Sequence, residues 1–265
     1  MTSVGLGRPM MHVRLLEADP DLARSLPASE RARATRQIVV SAFPLPAGGW
    51  IPPARQDPHQ LGFLVLNGLL ARDEHLQGTT ARELLGPGDV LTPWSEQADE
   101  RLLARTVRWQ VIEQATLANV DRRLEQAASR YPVLWLALFR RAAEERSRLS
   151  THKAICQLPG VDAKLLALFW HLAERFGKVT AEGVLLPLRL RHQALGQLIG
   201  ARRSTVTLAL RRLAEAGQVE PRPGGGWVLT AEPGETRTGA AASLRLRRLT
   251  ATNGAQPIRS RKAAR

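Results

Sequence analysis

Between Leu195 and Leu213 the sequence groups Arg202, Arg203, Ser204, Thr205, Thr207, Arg211 and Arg212 just after a glycine, Gly200. An arginine fork matches guanine O6 and N7 or phosphate oxygens. Short hydroxyl side chains match base edges or the thymine methyl group. The set has the chemistry of a helix laid in the major groove of DNA. At helical spacing Arg203, Ser204, Thr207 and Arg211 share one face, with Arg203 the candidate base reader and Ser204 and Thr207 its assistants. Arg202, Thr205, Arg211 and Arg212 are placed for phosphates, which set register rather than sequence preference.

Positioning such a set takes a second helix, a turn and a support. Leu195, Leu198 and Ile199 form the apolar face of a preceding short helix, and Gly200 supplies the positive φ of the turn. Val206, Leu210 and Leu213, at i, i+4 and i+7, form the packing face of the reading helix. No Ser, Thr, Asp or Asn caps that helix at Arg202, at a cost of about 1 kcal/mol. Val219-Glu220, Pro221 to Gly226 and Trp227 to Thr230 read as strand, glycine turn and strand: a β-hairpin wing. The bland alternative is two core helices with a solvated basic face.

Upstream, Val161 to Phe176 is helical, with Leu165, Leu168, Phe169 and Leu172 on one face, and Val184 to Leu188 is strand-like. Val133 to Leu158 lacks Gly and Pro. A seven-residue seam through Trp135, Leu138, Ala142, Leu149 and Cys156 makes it a candidate dimerisation helix, or an amphipathic helix packed on its own domain. From Gln37 to Asn119 the period shortens: Ile38-Val39-Val40, Phe63 to Leu66 and Val107 to Glu113 are strand runs. Asn67-Gly68 predicts a two-residue hairpin turn, and Gly48-Gly49, Pro52-Pro53 and Gly86 to Asp89 supply further turns. Together they predict a small antiparallel barrel or sandwich, with Asn119 capping a helix that runs to Arg130. The expected class is α+β. Its parts are a polar lead-in (1–36) with short helices near 19–26 and 29–36, a β-barrel (37–119), a helical region with the dimerisation helix (120–158), a winged helix-turn-helix (159–231) and a basic disordered tail (232–265).

The net charge of +14 favours a polyanionic partner. Much of it is local: from Thr236 to Arg265 there are eight basic residues and no acidic one. One cysteine, Cys156, supports neither a disulfide framework nor a cysteine-rich metal site. The six histidines lack ligand spacing, and no nucleophile–base grouping or carboxylate pair suggests catalysis. The reading is a non-enzyme with no metal and no cofactor. With no secretory signal and no apolar run of about 20 residues, it is expected in the cytoplasm with the nucleoid and without membrane contact.

His192 to Gly200 and Arg203-Ser204-Thr205-Val206 closely resemble the winged-helix signature of the CRP/FNR family of bacterial transcription regulators. Leu66-Asn67-Gly68-Leu69-Leu70 and Leu85-Gly86-Pro87-Gly88-Asp89-Val90 resemble that family's hairpin and glycine turn. The resemblance covers about residues 20 to 230. It implies a cyclic-nucleotide-binding-like jelly-roll barrel, a homodimer through helix 133–158, double-stranded DNA as partner and contact with RNA polymerase. Where the family commonly reads bases with Arg, Glu and Arg, this chain has Arg203, Ser204 and Leu208, which implies a different site. The family's phosphate cassette, a Gly-Glu pair followed by Arg-Ser/Thr-Ala, is degenerate after Asp89. No Gly-Glu pair occurs, and Arg101 is followed by Leu102 and preceded by Asp99-Glu100. Control by cyclic AMP is therefore not expected, and the effector is unknown. The alternative function is a non-sequence-specific nucleic-acid-binding protein driven by the basic tail.

Overall fold

The run Phe63-Leu64-Val65-Leu66 is apolar at every position because its sheet is covered on both faces. The computed structural model describes residues 10–55, 57–96 and 102–230; the basic tail and the Asp99–Arg101 segment lie outside them. The chain divides into two units between Thr151 and His152.

The first unit runs β1 (Met11–Arg14), α1 (Leu15–Ala18), α2 (Pro20–Arg24), α3 (Ala28–Gln37), β2 (Val39–Leu45), β3 (Gly48–Trp50), β4 (Gly62–Leu76), β5 (Thr79–Leu85), β6 (Val90–Leu91), β7 (Thr106–Val120), α4 (Arg122–Ala128) and the greater part of α5 (Pro132–Gln157). All its strand pairs are antiparallel, in the order β1-β2-β7-β4-β5, with β3 also on β7 and β6 also on β4. The path is linear, so the expected barrel is an open sheet. Alternation along the strands sorts two cores. Val40, Ala42, Leu64, Leu66, Ala118 and Val120 pack with the flanking helices. Phe43, Leu45, Phe63, Val65, Ala115 and Leu117 pack inside the fold of the sheet with Trp50 and Trp109.

Three local readings are corrected. Asn67-Gly68 is no hairpin turn: β4 runs straight through it, with register shifts against β7. A Cβ at Gly68 would stand 2.3 Å from Gln114 O, so this glycine serves a close backbone approach. The hairpin turn lies at Gln77-Gly78, both with positive φ, as a two-residue turn requires. Asn119 is not a cap but the strand partner of Phe63; Asp121 caps α4, accepting from Arg123 N and Leu124 N. The polar lead-in supplies a strand and much of a core: β1 pairs with β2, and Leu15, Leu16, Leu22, Leu26 and Ala34 are buried.

Asp89, only 3% exposed, ties the Gly86 to Asp89 turn to α5. Its carboxylate accepts from Gly86 N at 2.9 Å and from Arg148 at 2.7 Å. Two turns back along the helix, Arg141 forks onto both oxygens of Asp19.

The second unit starts within α5 and continues as α6 (Val161–Phe176), β8 (Lys178–Thr180), β9 (Gly183–Leu186), α7 (His192–Ile199), α8 (Arg203–Glu215), β10 (Val219–Pro221) and β11 (Trp227–Leu229). Its sheet has the order β10-β11-β9-β8, all antiparallel.

Candidate nucleic-acid interface

The helix-turn-helix is α7, a tight turn and α8. Gly200 ends α7 in the left-handed region (φ 67, ψ 38), and Ala201 N donates to Gly196 O at 2.9 Å. Gly196 has a separate role. A Cβ there would lie 2.4 Å from Ala201 O, so the turn closes over it only because it has no side chain. Arg202 is the N-cap of α8 and makes no side-chain capping bond, in line with the sequence. Gly200→Ala, with open space around it, is expected to cost about 1–2 kcal/mol of left-handed strain, measurable by denaturant unfolding.

Val206, Ala209, Leu210 and Leu213 are buried, while Arg202, Arg203, Ser204, Thr205, Thr207, Arg211 and Arg212 are all exposed. The structure thus brings the seven candidate residues onto one solvent-facing stretch, but it does not leave them equivalent. Arg212 forks onto both oxygens of Asp162 of α6, at 2.7 Å each, and this pairing raises its pKa further. Arg211 lies 3.8 Å from Glu215. Thr207 Oγ1 donates to Arg203 O at 3.0 Å and lies 2.8 Å from Nδ1 of His192. Leu208 is 55% exposed on the same helix.

The wing follows directly. Its turn is closed by Arg222 N to Gly226 O (3.1 Å), with Gly224, Gly225 and Gly226 all at positive φ. Arg189 runs against Gly225 of that turn, and Arg222 pairs with Glu182. Sequence reasoning passed over Arg189, Arg191 and His192. The signal for the two arginines was their place immediately before α7, where exposed cations flank the N-terminus of a helix; His192 is the first residue of α7 itself.

Behind α7, His152 Nε2 donates to Leu198 O at 2.6 Å, and the Cys156 thiol reaches the same carbonyl at 3.5 Å. Burial, above all, lowers the His152 pKa, with His171 adding to it against the Leu198 bond. Burial raises that of the Cys156 thiol, which keeps it protonated. The unfolded chain then binds a proton at His152 that the folded chain refuses. This unit should lose stability as pH falls below about 6.5 towards the depressed folded value. Thermal melts between neutral and mildly acid pH check this, and His152→Gln should flatten the slope.

A second concave site lies in the first unit. Trp50, Ile51 and Pro52 face Pro93 and Arg105 to Trp109 across an open cleft of about 670 Å³. Trp50 Nε1 and Arg105 Nε are buried there without hydrogen-bond partners. Arg105 bonds Glu74 at 2.7 Å. Burial acts to raise the Glu74 pKa, but the Arg105 bond and the charges of Arg72 and Arg105 outweigh it and hold the carboxyl low. Arg105-Thr106 is thus an arginine–hydroxyl pair on a cleft that the sequence reading, centred on Arg101, missed. Trp50 and Trp109 belong to the core beside it, edge to face at 5.7 Å. Among the described residues no group of three or more His, Cys, Asp or Glu is placed to hold a metal, and no helix is long and apolar enough to cross a membrane.

Residues 163–233 match the family model of the Crp-like helix-turn-helix domain. No curated protein matches the sequence. Among solved structures, a cyclic nucleotide-binding domain containing protein from Listeria monocytogenes EGD-e is similar, with TM-score 0.60 at 13% identity over 80% of this chain and 97% of that one. A mutant of CooA from Carboxydothermus hydrogenoformans has TM-score 0.55 at 16% identity over 80% and 86%. FixK2 from Bradyrhizobium japonicum has TM-score 0.53 at 17% identity over 82% and 99%. Residues 163–233 are therefore a Crp-like helix-turn-helix domain, in a chain that shares its α+β fold with these proteins.

Proposed function

We propose that the chain is a dimeric, sequence-specific DNA-binding transcription regulator that works without catalysis and is not controlled by cyclic AMP. The observation that carries this is α8: a helix buried on its Val206–Leu210–Leu213 face, exposing Arg203, Ser204 and Thr207, with a wing beside it. Arg203 reads bases; Ser204 and Thr207 assist. Arg202, Thr205 and Arg211 hold phosphates, and Arg212 does so from its seat on Asp162. Selection from random duplex DNA with the full chain tests this. Arg203→Ala should relax preference at one base pair by about 1–3 kcal/mol; an equal loss on all sequences would refute its reading role. Deleting residues 236–265 should leave the preference intact. Loss of nearly all binding would favour the tail-driven, non-sequence-specific alternative.

Dimerisation through α5 is supported by its exposed apolar residues: Leu136 is 48%, Phe139 70% and Leu149 43% exposed. Leu138 of the sequence-based seam turns into the core instead and is 8% exposed, so the free stripe runs through Leu136, Phe139, Ala142 and Leu149. Phe139→Glu should convert a dimer to monomer in sedimentation, because a charge cannot be desolvated in an apolar seam. Lack of cyclic AMP control is supported by the degenerate cassette after Asp89 and by the commitment of Arg105, on the cleft, to the Glu74 carboxylate rather than to an incoming phosphate. Millimolar cyclic AMP should change neither the melting temperature nor the DNA affinity. Such a regulator contacts RNA polymerase and resides in the cytoplasm with the nucleoid.

A further inference from the structure

Two side chains near the middle of α8, Thr207 and Leu208, have no hydrogen-bond donor to offer a base edge. The Thr207 hydroxyl has one proton, and it goes to Arg203 O at 3.0 Å. In the 2.8 Å contact with His192 Nδ1, the imidazole must then carry the hydrogen and Thr207 Oγ1 accept it. Thr207 has no donor left for guanine O6 or N7, adenine N7 or thymine O4. It retains its γ-methyl and one lone pair. The next residue, Leu208, leaves 55% of its surface in water on a helix whose other exposed positions are mostly polar.

We propose that α8 reads thymine through its C5 methyl group, using an apolar edge made of the Thr207 γ-methyl and Leu208. In the major groove thymine is the one standard base that presents a methyl group. An apolar edge beside Arg203 therefore separates thymine from the other three bases without a hydrogen bond. His192 Nδ1–H and the Arg203 carbonyl together engage the hydroxyl, which leaves the methyl as the group Thr207 offers the groove. The inference rests on the reading of α8 as the groove helix and names what its centre recognises.

The test uses the full chain and the site it enriches from random duplex DNA. Each thymine is replaced in turn by deoxyuridine, which removes only the methyl. At one or more thymines the wild type should bind about fourfold more weakly without it, the worth of one buried carbon. Thr207→Ser, which keeps the hydroxyl and loses the methyl, should bind thymine and uracil alike at one of these positions. Thr207→Val, which keeps a methyl and loses the hydroxyl, should retain the difference, and Leu208→Ala should lose it at a neighbouring thymine. A wild type that enriches a site but is indifferent to uracil throughout overturns the proposal alone. So does a preference that Thr207→Ser keeps and Thr207→Val loses, because the hydroxyl would then be the reader. A wild type that enriches no site overturns the groove-helix reading and this proposal with it.

Discussion

Gly196→Ala is expected to destabilise the second unit by about 3 kcal/mol and to abolish site-selective DNA binding. The new methyl group would stand 2.4 Å from the carbonyl oxygen of Ala201. That oxygen belongs to the backbone of the turn, so no side chain can swing aside. Overpacking of this kind costs about 1–3 kcal/mol and occasionally more, and rigid backbone on the far side puts this case at the upper end. The gain in helix propensity from Gly to Ala, about 1 kcal/mol, reduces the loss but does not reverse it. Relief requires α7 and α8 to part, which moves Arg203 relative to the wing. Denaturant unfolding and binding to the selected site check the two halves of the prediction. Gly200→Ala, only four residues on, is expected to be milder and to bind DNA, because it strains one backbone angle and meets no atom within 4 Å. A wild-type melting temperature for Gly196→Ala would show that the turn is looser than its geometry implies.

Asp89→Ala is expected to cost the first unit about 1–3 kcal/mol, the usual penalty for leaving a buried donor, here the Gly86 amide, without its acceptor. The carboxylate satisfies the Gly86 amide inside its own turn and Arg148 of α5. Alanine leaves both donors without it. The same turn is stitched to β4 by Val65 N to Asp89 O at 2.9 Å and Gly88 N to Val65 O at 2.8 Å, so its loosening reaches the sheet. Asp89→Asn keeps an oxygen for the Gly86 amide and should recover part of the loss. Arg148, whose side chain is 32% exposed, can turn to water when Asp89 is removed, whereas Arg148→Met leaves the Asp89 carboxylate, 3% exposed, without its cation, so Arg148→Met should cost at least as much as Asp89→Ala. Equal and small losses for all three, measured by urea unfolding, would make the pair a surface contact.

The second unit was largely legible in the sequence. α6, α7, α8 and the wing are contiguous, and their cores come from residues three or four apart: Leu165, Leu168, Phe169 and Leu172 in α6, then Val206, Leu210 and Leu213 in α8. Such patterns are written locally. The sheet was harder. Asn67-Gly68 has the composition of a hairpin turn, yet β4 passes through it because β7 offers pairing on both sides of the bulge. The strand Met11–Arg14 and the buried leucines after it gave too short a pattern to be separated from a polar lead-in.

The sequence by itself determined the helix-turn-helix: which residues form α8, which face of it is buried, and that Arg203, Ser204 and Thr207 lie on its exposed face. These follow from helical period and from one glycine with positive φ, both properties of neighbouring residues. Only the tertiary structure decided what those side chains have left to offer. It set Arg212 on Asp162, 50 positions away, and Thr207 against His192, 15 away. It turned Leu138 inward and Phe139 outward on α5, and it brought Arg105 to Glu74 across 31 positions. Hydrogen bonds and ion pairs saturate, so a side chain meets a ligand only with the donors that its distant partner has not taken. No local pattern records that commitment, because the partner is chosen by how the chain folds back on itself.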